Sequence, residues 1–183
     1  MLHLFRPNYR CPSISEIPIP WLSKQGVKAI ILDLDNTLMP WDKPVPDEAN
    51  AQWVRKVKAA GISVVLLSNN GGDRLKKVSE SLGVPAVGWG AKPFSLGFRR
   101  AMTFLEVKGG GEVLVIGDQL LTDVLGAKKL KLRVMWVESL AINEFAFTRL
   151  TRKVERLLVR QLVKKGLMPG GRLNENCNCA NED

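Results

Sequence analysis

Four short, mostly apolar runs constrain this chain more than any other feature. Lys28–Asp33 holds Ala29, Ile30, Ile31 and Leu32; Ile62–Leu67 is rich in valine and leucine; Val113–Ile116 and Val134–Val137 have the same character. A strand with one face in water alternates apolar and polar side chains, whereas a strand covered on both faces reads as a continuous apolar run. The runs therefore predict buried parallel strands. Helical patterns fall between them. Asp47–Ala60 begins after Pro46 and stops before Gly61, and Asp73–Leu82 stops before Gly83. Pro93–Val107 opens on a proline and closes before Gly109, while Thr122–Leu130 precedes the fourth run. These are ordinary helix start and stop signals. Strand–helix alternation predicts an α/β fold with a mainly parallel central sheet.

A last helical stretch, Asn143–Lys165, gives way to Gly166, Pro169, Gly170 and Gly171. The reading is one folded domain over residues 1–166 and a disordered polar tail over 167–183. A chain of 183 residues, 45% hydrophobic and 25% charged, suits a single globular domain. No apolar run reaches the roughly 18–20 residues of a membrane span. The first ten residues lack the apolar core of a secretion signal, which predicts an intracellular protein on the cytoplasmic side. Cys11, Cys177 and Cys179 are an odd number of thiols, two of them in the tail, so a disulfide framework is not expected. Cys177-Asn178-Cys179 has metal-like spacing but no second pair, and His3 is the only histidine, so the segment reads as tail. The formal charge of +9 suits an anionic partner without choosing among nucleic acid, anionic membrane and phosphorylated substrate.

Polar residues gather where the predicted strands end. The first run leads into Asp33-Leu34-Asp35-Asn36-Thr37, the second into Ser68-Asn69-Asn70, and the third into Gly117-Asp118-Gln119 with Asp123 close behind. Lys92 precedes the Pro93 helix. Open α/β sheets bind ligands beyond the carboxyl ends of their strands, so these groups should converge. Together they suit phosphoryl transfer. A carboxylate attacks phosphorus, and Asp35 protonates the leaving oxygen and then deprotonates water. Ser68 and Lys92 stabilise the phosphoryl oxygens. Three carboxylates, Asp33, Asp118 and Asp123, would repel one another without a hard cation such as Mg²⁺ among them. Plainer roles compete at some positions. Ser68 suits a turn cap, Lys92 a solvated surface, Asn69-Asn70-Gly71-Gly72 an ordinary turn, and Asp123 the first turn of a helix.

In this order and spacing the residues resemble the four motifs of the haloacid dehalogenase (HAD) superfamily. Asp33–Thr37 resembles the first motif, Ser68 the second, Lys92 the third, and Gly117-Asp118 with Asp123 the fourth. The resemblance implies a Rossmann-like three-layer sandwich, with Asp33 as nucleophile and Asp35 as general acid and base. It implies Mg²⁺ held by Asp33, the Asp35 carbonyl and Asp118. Ser68, Asn69 and Lys92 would meet the phosphate, with Thr37 and Asp123 supporting them from behind. An aspartate at position 35 favours a phosphatase or phosphomutase over a dehalogenase or an ion pump. The gaps from Asp35 to Ser68 and from Ser68 to Lys92 leave no room for a large cap domain, which favours a phosphate presented on something large.

The stretches Ile31–Leu38, Leu67–Asn70, Ala91–Pro93 and Val115–Asp123, with Pro12–Ile17 upstream, further resemble the YqeG family of capless HAD phosphatases. That family is similar to the phosphatidylglycerophosphate phosphatases of mitochondria and plastids. The resemblance implies a lipid-borne phosphate and phospholipid biosynthesis, against the alternative of a phosphoprotein or soluble metabolite. The last helix places Phe147, Leu150, Val154, Leu157 and Leu158 opposite Arg149, Arg152, Lys153, Arg156 and Arg160. Such a helix suits peripheral attachment to an anionic membrane, and equally packing on the domain. Phe5, Trp21 and Trp41 suit either an aromatic rim near the site or core packing. A third reading, a nucleic-acid or membrane binding module with a vestigial site, finds no nucleic-acid motif, and no nucleic-acid partner is expected.

Overall fold

Six parallel strands lie in the order β1-β6-β5-β2-β3-β4: Tyr9–Cys11 (β1), Ala29–Leu32 (β2), Ser63–Leu67 (β3), Ala86–Val87 (β4), Val113–Gly117 (β5) and Arg133–Val137 (β6). The coordinates are a computed structural model that describes residues 2–107, 109–140 and 146–169, the last segment by its backbone alone as far as residue 152. Residues 170–183, with Cys177 and Cys179, lie outside them, as do the start of the expected Asn143 helix and the side chains of Phe147, Leu150, Arg149 and Arg152.

The continuous apolar runs are explained by burial on both faces. Ile30, Leu32, Val64, Leu66, Leu114 and Ile116 belong to one core, and Ala29, Ile31, Val65, Leu67, Val113 and Val115 to the other. Against the first face pack α1 (Ile19–Lys24), α2 (Glu48–Ala59) and α3 (Asp73–Leu82), through Trp21, Trp53, Val54, Val57, Leu75 and Val78. Against the second pack α4 (Ser95–Met102), α5 (Leu125–Lys129) and α6 (Ala146–Lys164), through Phe98, Ala101, Ala127 and Leu162. The result is the expected three-layer sandwich. Asp47 caps α2 by accepting from the Asn50 N–H at 2.8 Å. Gly83 ends α3 at φ 61°, where a left-handed residue is needed.

Several expectations shift. β1 and β4 have three and two residues, too short to leave a pattern in the sequence. The helix expected over Pro93–Val107 is only Ser95–Met102. The Thr103 hydroxyl donates to the Arg100 carbonyl at 2.7 Å and the next amides bond three residues back, which tightens and stops the helix. The helix expected from Thr122 begins at Leu120, with one π-helical turn over Leu120–Val124 before α5. Leu167 and Met168, read as tail, pack against the second core. Trp21 is fully buried, edge-on to Tyr9 with ring centroids 4.8 Å apart, so it belongs to the core and not to a rim. Phe5 packs on the second core.

The terminal helix divides its apolar residues between two surfaces. Leu162 is buried and Leu158 and Val159 pack on the second core, whereas Val154, Leu157 and Val163 are exposed. No helix among the described residues is long and apolar enough to cross a membrane.

Candidate active site

The sheet order reverses direction at β2. The chain runs outward from it through β3 and β4, then returns to lay β5 on its other side. A crevice forms at such a switch point, and the carboxyl ends of β2, β3 and β5 open into it.

Asp33 is held at the end of β2, its N–H donating to the Ile116 carbonyl of β5 at 2.9 Å. The chain then folds back tightly. Asn36 takes φ 65°, a left-handed conformation that asparagine tolerates, and its side chain accepts from the Trp41 N–H at 3.2 Å. This turn carries Thr37 to Asp118, whose Oδ1 accepts from the Thr37 hydroxyl at 3.3 Å. It carries the Asp35 carboxylate the other way, toward the loop after β3. Asp118 follows β5, and its carbonyl accepts from Trp136 Nε1 at 2.7 Å. The π-helical turn swings Asp123 back against Gly117, where a Cβ would lie 2.3 Å from the Asp123 carboxyl carbon. Only glycine permits that approach.

Lys92 arrives from the loop between β4 and α4. Its ammonium bonds Asp33 Oδ1, Asp123 Oδ1 at 2.7 Å and the Leu67 carbonyl at 3.2 Å, and the residue is 8% exposed. Carboxylate oxygens of Asp33, Asp118 and Asp123 lie within 4.8 Å of one another, all buried. Burial, with Asp123 and Asp118 nearby, raises the Asp33 carboxyl well above the usual carboxylate range, against the lowering pull of Lys92. Burial alone would lower Lys92, but Asp123 and Asp33 outweigh it and hold the ammonium charged. One ammonium against three carboxylates leaves a formal excess of negative charge in a buried site. That excess, offered by oxygen donors alone, fits a hard divalent cation.

Asp35 anchors a second cluster. Its Oδ2 accepts from the Ser68 hydroxyl at 3.1 Å and from Asn70 Nδ2 at 3.0 Å, and its Oδ1 pairs with Arg74 Nη1. These groups line a cavity of about 230 Å³ with Trp41, Gly71 and Leu75. Asn69, expected at the phosphate, is turned elsewhere. Its Oδ1 accepts from the Lys92 N–H at 2.6 Å and its Nδ2 donates to the Lys92 carbonyl at 3.2 Å, so it holds the lysine loop. Asn70 lines the cavity in its place.

Arg74 was missed from the sequence. It bonds Asp35 and also donates to the carbonyls of Pro40 and Lys43 at 2.9 Å each, tying the loop after Asp35 to α3. One signal was available: a cation in the first turn of a helix opposes the macrodipole and needs a local reason. Trp136, which supports Asp118, left no signal beyond its place in an apolar run.

A parallel sheet with this switch point, and an aspartate pair, serine, lysine and second aspartate cluster at its rim, define an HAD-type phosphatase. The chain belongs to the family described as mitochondrial PGP phosphatase, whose model matches residues 2–140. It is 39% identical over 162 residues to "Probable phosphatase YqeG" of Bacillus subtilis, covering 88% of this chain and 94% of that protein. It is 26% identical over 149 residues to the mitochondrial phosphatidylglycerophosphatase GEP4 of Saccharomyces cerevisiae, covering 73% and 78% of the two chains. Among solved structures, the 3-deoxy-D-manno-octulosonate 8-phosphate phosphatase of Yersinia pestis is similar in fold. Its TM-score is 0.50 at 13% identity, over 79% of this chain and 88% of that one.

Proposed function

We propose that this protein is a Mg²⁺-dependent phosphomonoester hydrolase acting through an aspartyl-phosphate, with phosphatidylglycerophosphate as substrate. The observation that carries the chemistry is the buried Lys92 joining Asp33 to Asp123 beside Asp118. The lipid substrate is supported by the likeness to the yeast phosphatidylglycerophosphatase and by a site with no large cap among the described residues.

Asp33, Asp118 and the Asp35 carbonyl would hold Mg²⁺. Bound there, the ion would neutralise phosphoryl charge and hold the phosphate in line with Asp33. The Asp33 carboxylate attacks phosphorus and the bond to the leaving alcohol breaks. Asp35 gives its proton to the departing oxygen and is left as a carboxylate. It then takes a proton from the water that attacks the aspartyl-phosphate, releasing phosphate and restoring Asp33. Lys92 and Ser68 donate to the phosphoryl oxygens, Thr37 orients Asp118, and Asp123 holds Lys92. Ser68 and Asn70 both donate to Asp35, which places their polar groups beside the carboxyl that serves as acid and base. On this reading residues 1–166 form the catalytic domain, with Leu167 and Met168 packed on its second core, and the protein is peripheral to a membrane, on its cytoplasmic side.

The test is turnover by purified protein with Mg²⁺ on phosphatidylglycerophosphate in mixed micelles and on a panel of sugar, nucleotide and peptide phosphates. Preference for the lipid is expected, and preference for a soluble phosphate would remove the lipid reading. Asp33→Asn should lower turnover on the order of 10³-fold or more while leaving the circular dichroism spectrum unchanged. Retained turnover would remove the nucleophile assignment.

A further inference from the structure

The loop that delivers Lys92 and the first turn of α4 that follows it carry three large apolar side chains in water. Trp89, Phe94 and Leu96 are 72%, 68% and 64% exposed, while Lys92 between them is 8% exposed. Isolated exposed apolar residues are ordinary, but three within eight positions on either side of a buried site lysine are a concentration that calls for a reason.

The loop is not loose. The Lys92 backbone is held on both sides by Asn69, and the Gly90 N–H donates to the Ser68 carbonyl at 2.9 Å. Trp89 and Ala91 take φ 52° and 50°, left-handed conformations that persist only where surrounding structure dictates them. The Trp89 ring lies against Gly71, where a Cβ would stand 2.3 Å from Nε1, and Gly71 lines the cavity that holds Asp35. Trp89 therefore borders the cavity that holds Asp35, and Phe94 and Leu96 follow it along the same segment.

Its surroundings are basic. Arg99 and Arg100 are exposed on α4, and exposed Lys129 places Nζ 5.9 Å from the centre of the Phe94 ring. Indole and phenyl rings beside arginine and lysine are the composition that settles at a lipid headgroup boundary. Anionic lipid adds attraction to each basic residue. A second copy of a chain with formal charge +9 would instead set these same cations against one another.

We propose that Trp89, Phe94 and Leu96 form a bilayer-docking surface that seats the mouth of the site on anionic lipid. The proposal rests on the lipid-phosphatase reading above, and its test separates the two. Wild-type protein, Phe94→Glu/Leu96→Glu and, as a comparison, Val154→Ala/Leu157→Ala are sedimented with vesicles of equimolar phosphatidylcholine and phosphatidylglycerol. Each is also assayed on p-nitrophenyl phosphate in solution and on phosphatidylglycerophosphate in the same vesicles. The Phe94/Leu96 variant should lose roughly tenfold or more of its vesicle binding, with comparable loss on the vesicle-borne lipid. Its turnover of p-nitrophenyl phosphate should be unchanged. The Trp89 emission should shift blue on vesicles, an effect missing from Trp89→Phe. Docking that follows this pattern without any lipid hydrolysis upholds the surface and removes the substrate reading instead. Unchanged vesicle binding in the Phe94/Leu96 variant overturns the proposal. So does binding lost only in the Val154/Leu157 variant, equal loss on the soluble substrate, or a wild-type dimer that this variant converts to monomer.

Discussion

Asp35 is held from three directions, by Ser68 and Asn70 on one carboxylate oxygen and by Arg74 on the other. The arginine links this carboxylate to the backbone of Pro40 and Lys43, so it sets both the position of Asp35 and the closure of the loop behind it. Lysine keeps the charge but cannot reach three acceptors that a planar guanidinium spans at once. If Asp35 protonates the leaving oxygen, Arg74→Lys should lower turnover of an alkyl phosphate roughly 10–100-fold. It should cost far less with p-nitrophenyl phosphate, whose leaving group needs no proton. Steady-state rates on the two substrates, with Asp35→Asn measured beside them, decide the matter. Equal losses on both would show that Arg74 serves the fold and not the acid step. Asp35 itself was legible in the sequence because it stands two residues from Asp33 in a recognisable motif. Arg74 was not, because its role depends on backbone carbonyls more than thirty residues away that the sequence does not mark.

At the scale of elements, the loop from Gly88 to Lys92 is positioned by its neighbours. Gly97 of α4 lies so close that a Cβ there would stand 2.1 Å from the Gly90 carbonyl oxygen. A backbone atom cannot rotate aside, so Gly97→Ala must push the loop or the helix. The expected cost is about 1–3 kcal/mol of stability, measured by chemical denaturation. Turnover should fall as well, since the displaced loop carries Lys92. An unchanged midpoint and rate would mean that the two backbones are less closely packed than the structure has them. The apolar runs of β2, β3, β5 and β6 and the caps of α2 and α3 were legible because burial and helix termini leave local patterns. The π-helical turn before α5 was not, because what it does, carrying Asp123 to a lysine thirty-one residues away, leaves no local pattern.

For the molecule as a whole, the acidic cluster concentrates negative charge at the switch point, and a divalent ion should be bound by the folded state alone. At one hundred times its dissociation constant such an ion stabilises the fold by about 2.7 kcal/mol. In a chain of this size that corresponds to about 5–10 °C in Tm. Mg²⁺ should therefore raise the melting temperature seen by differential scanning fluorimetry, and Asp118→Asn should abolish the rise. A Tm indifferent to Mg²⁺ in the wild-type protein would remove the ion from the site. The residue order along the chain was enough to establish the fold class, the parallel strands and the set of groups at their ends. Those signals are local: periodicity, caps, and polar residues closing apolar runs. Tertiary structure alone decided the pairings. It separated Asp35 from the cluster of Asp33, Asp118 and Asp123, turned Asn69 to the lysine loop, brought Arg74 to Asp35, and left Trp89, Phe94 and Leu96 in water. These outcomes depend on distances between segments far apart in the chain, which sequence spacing does not encode and packing does.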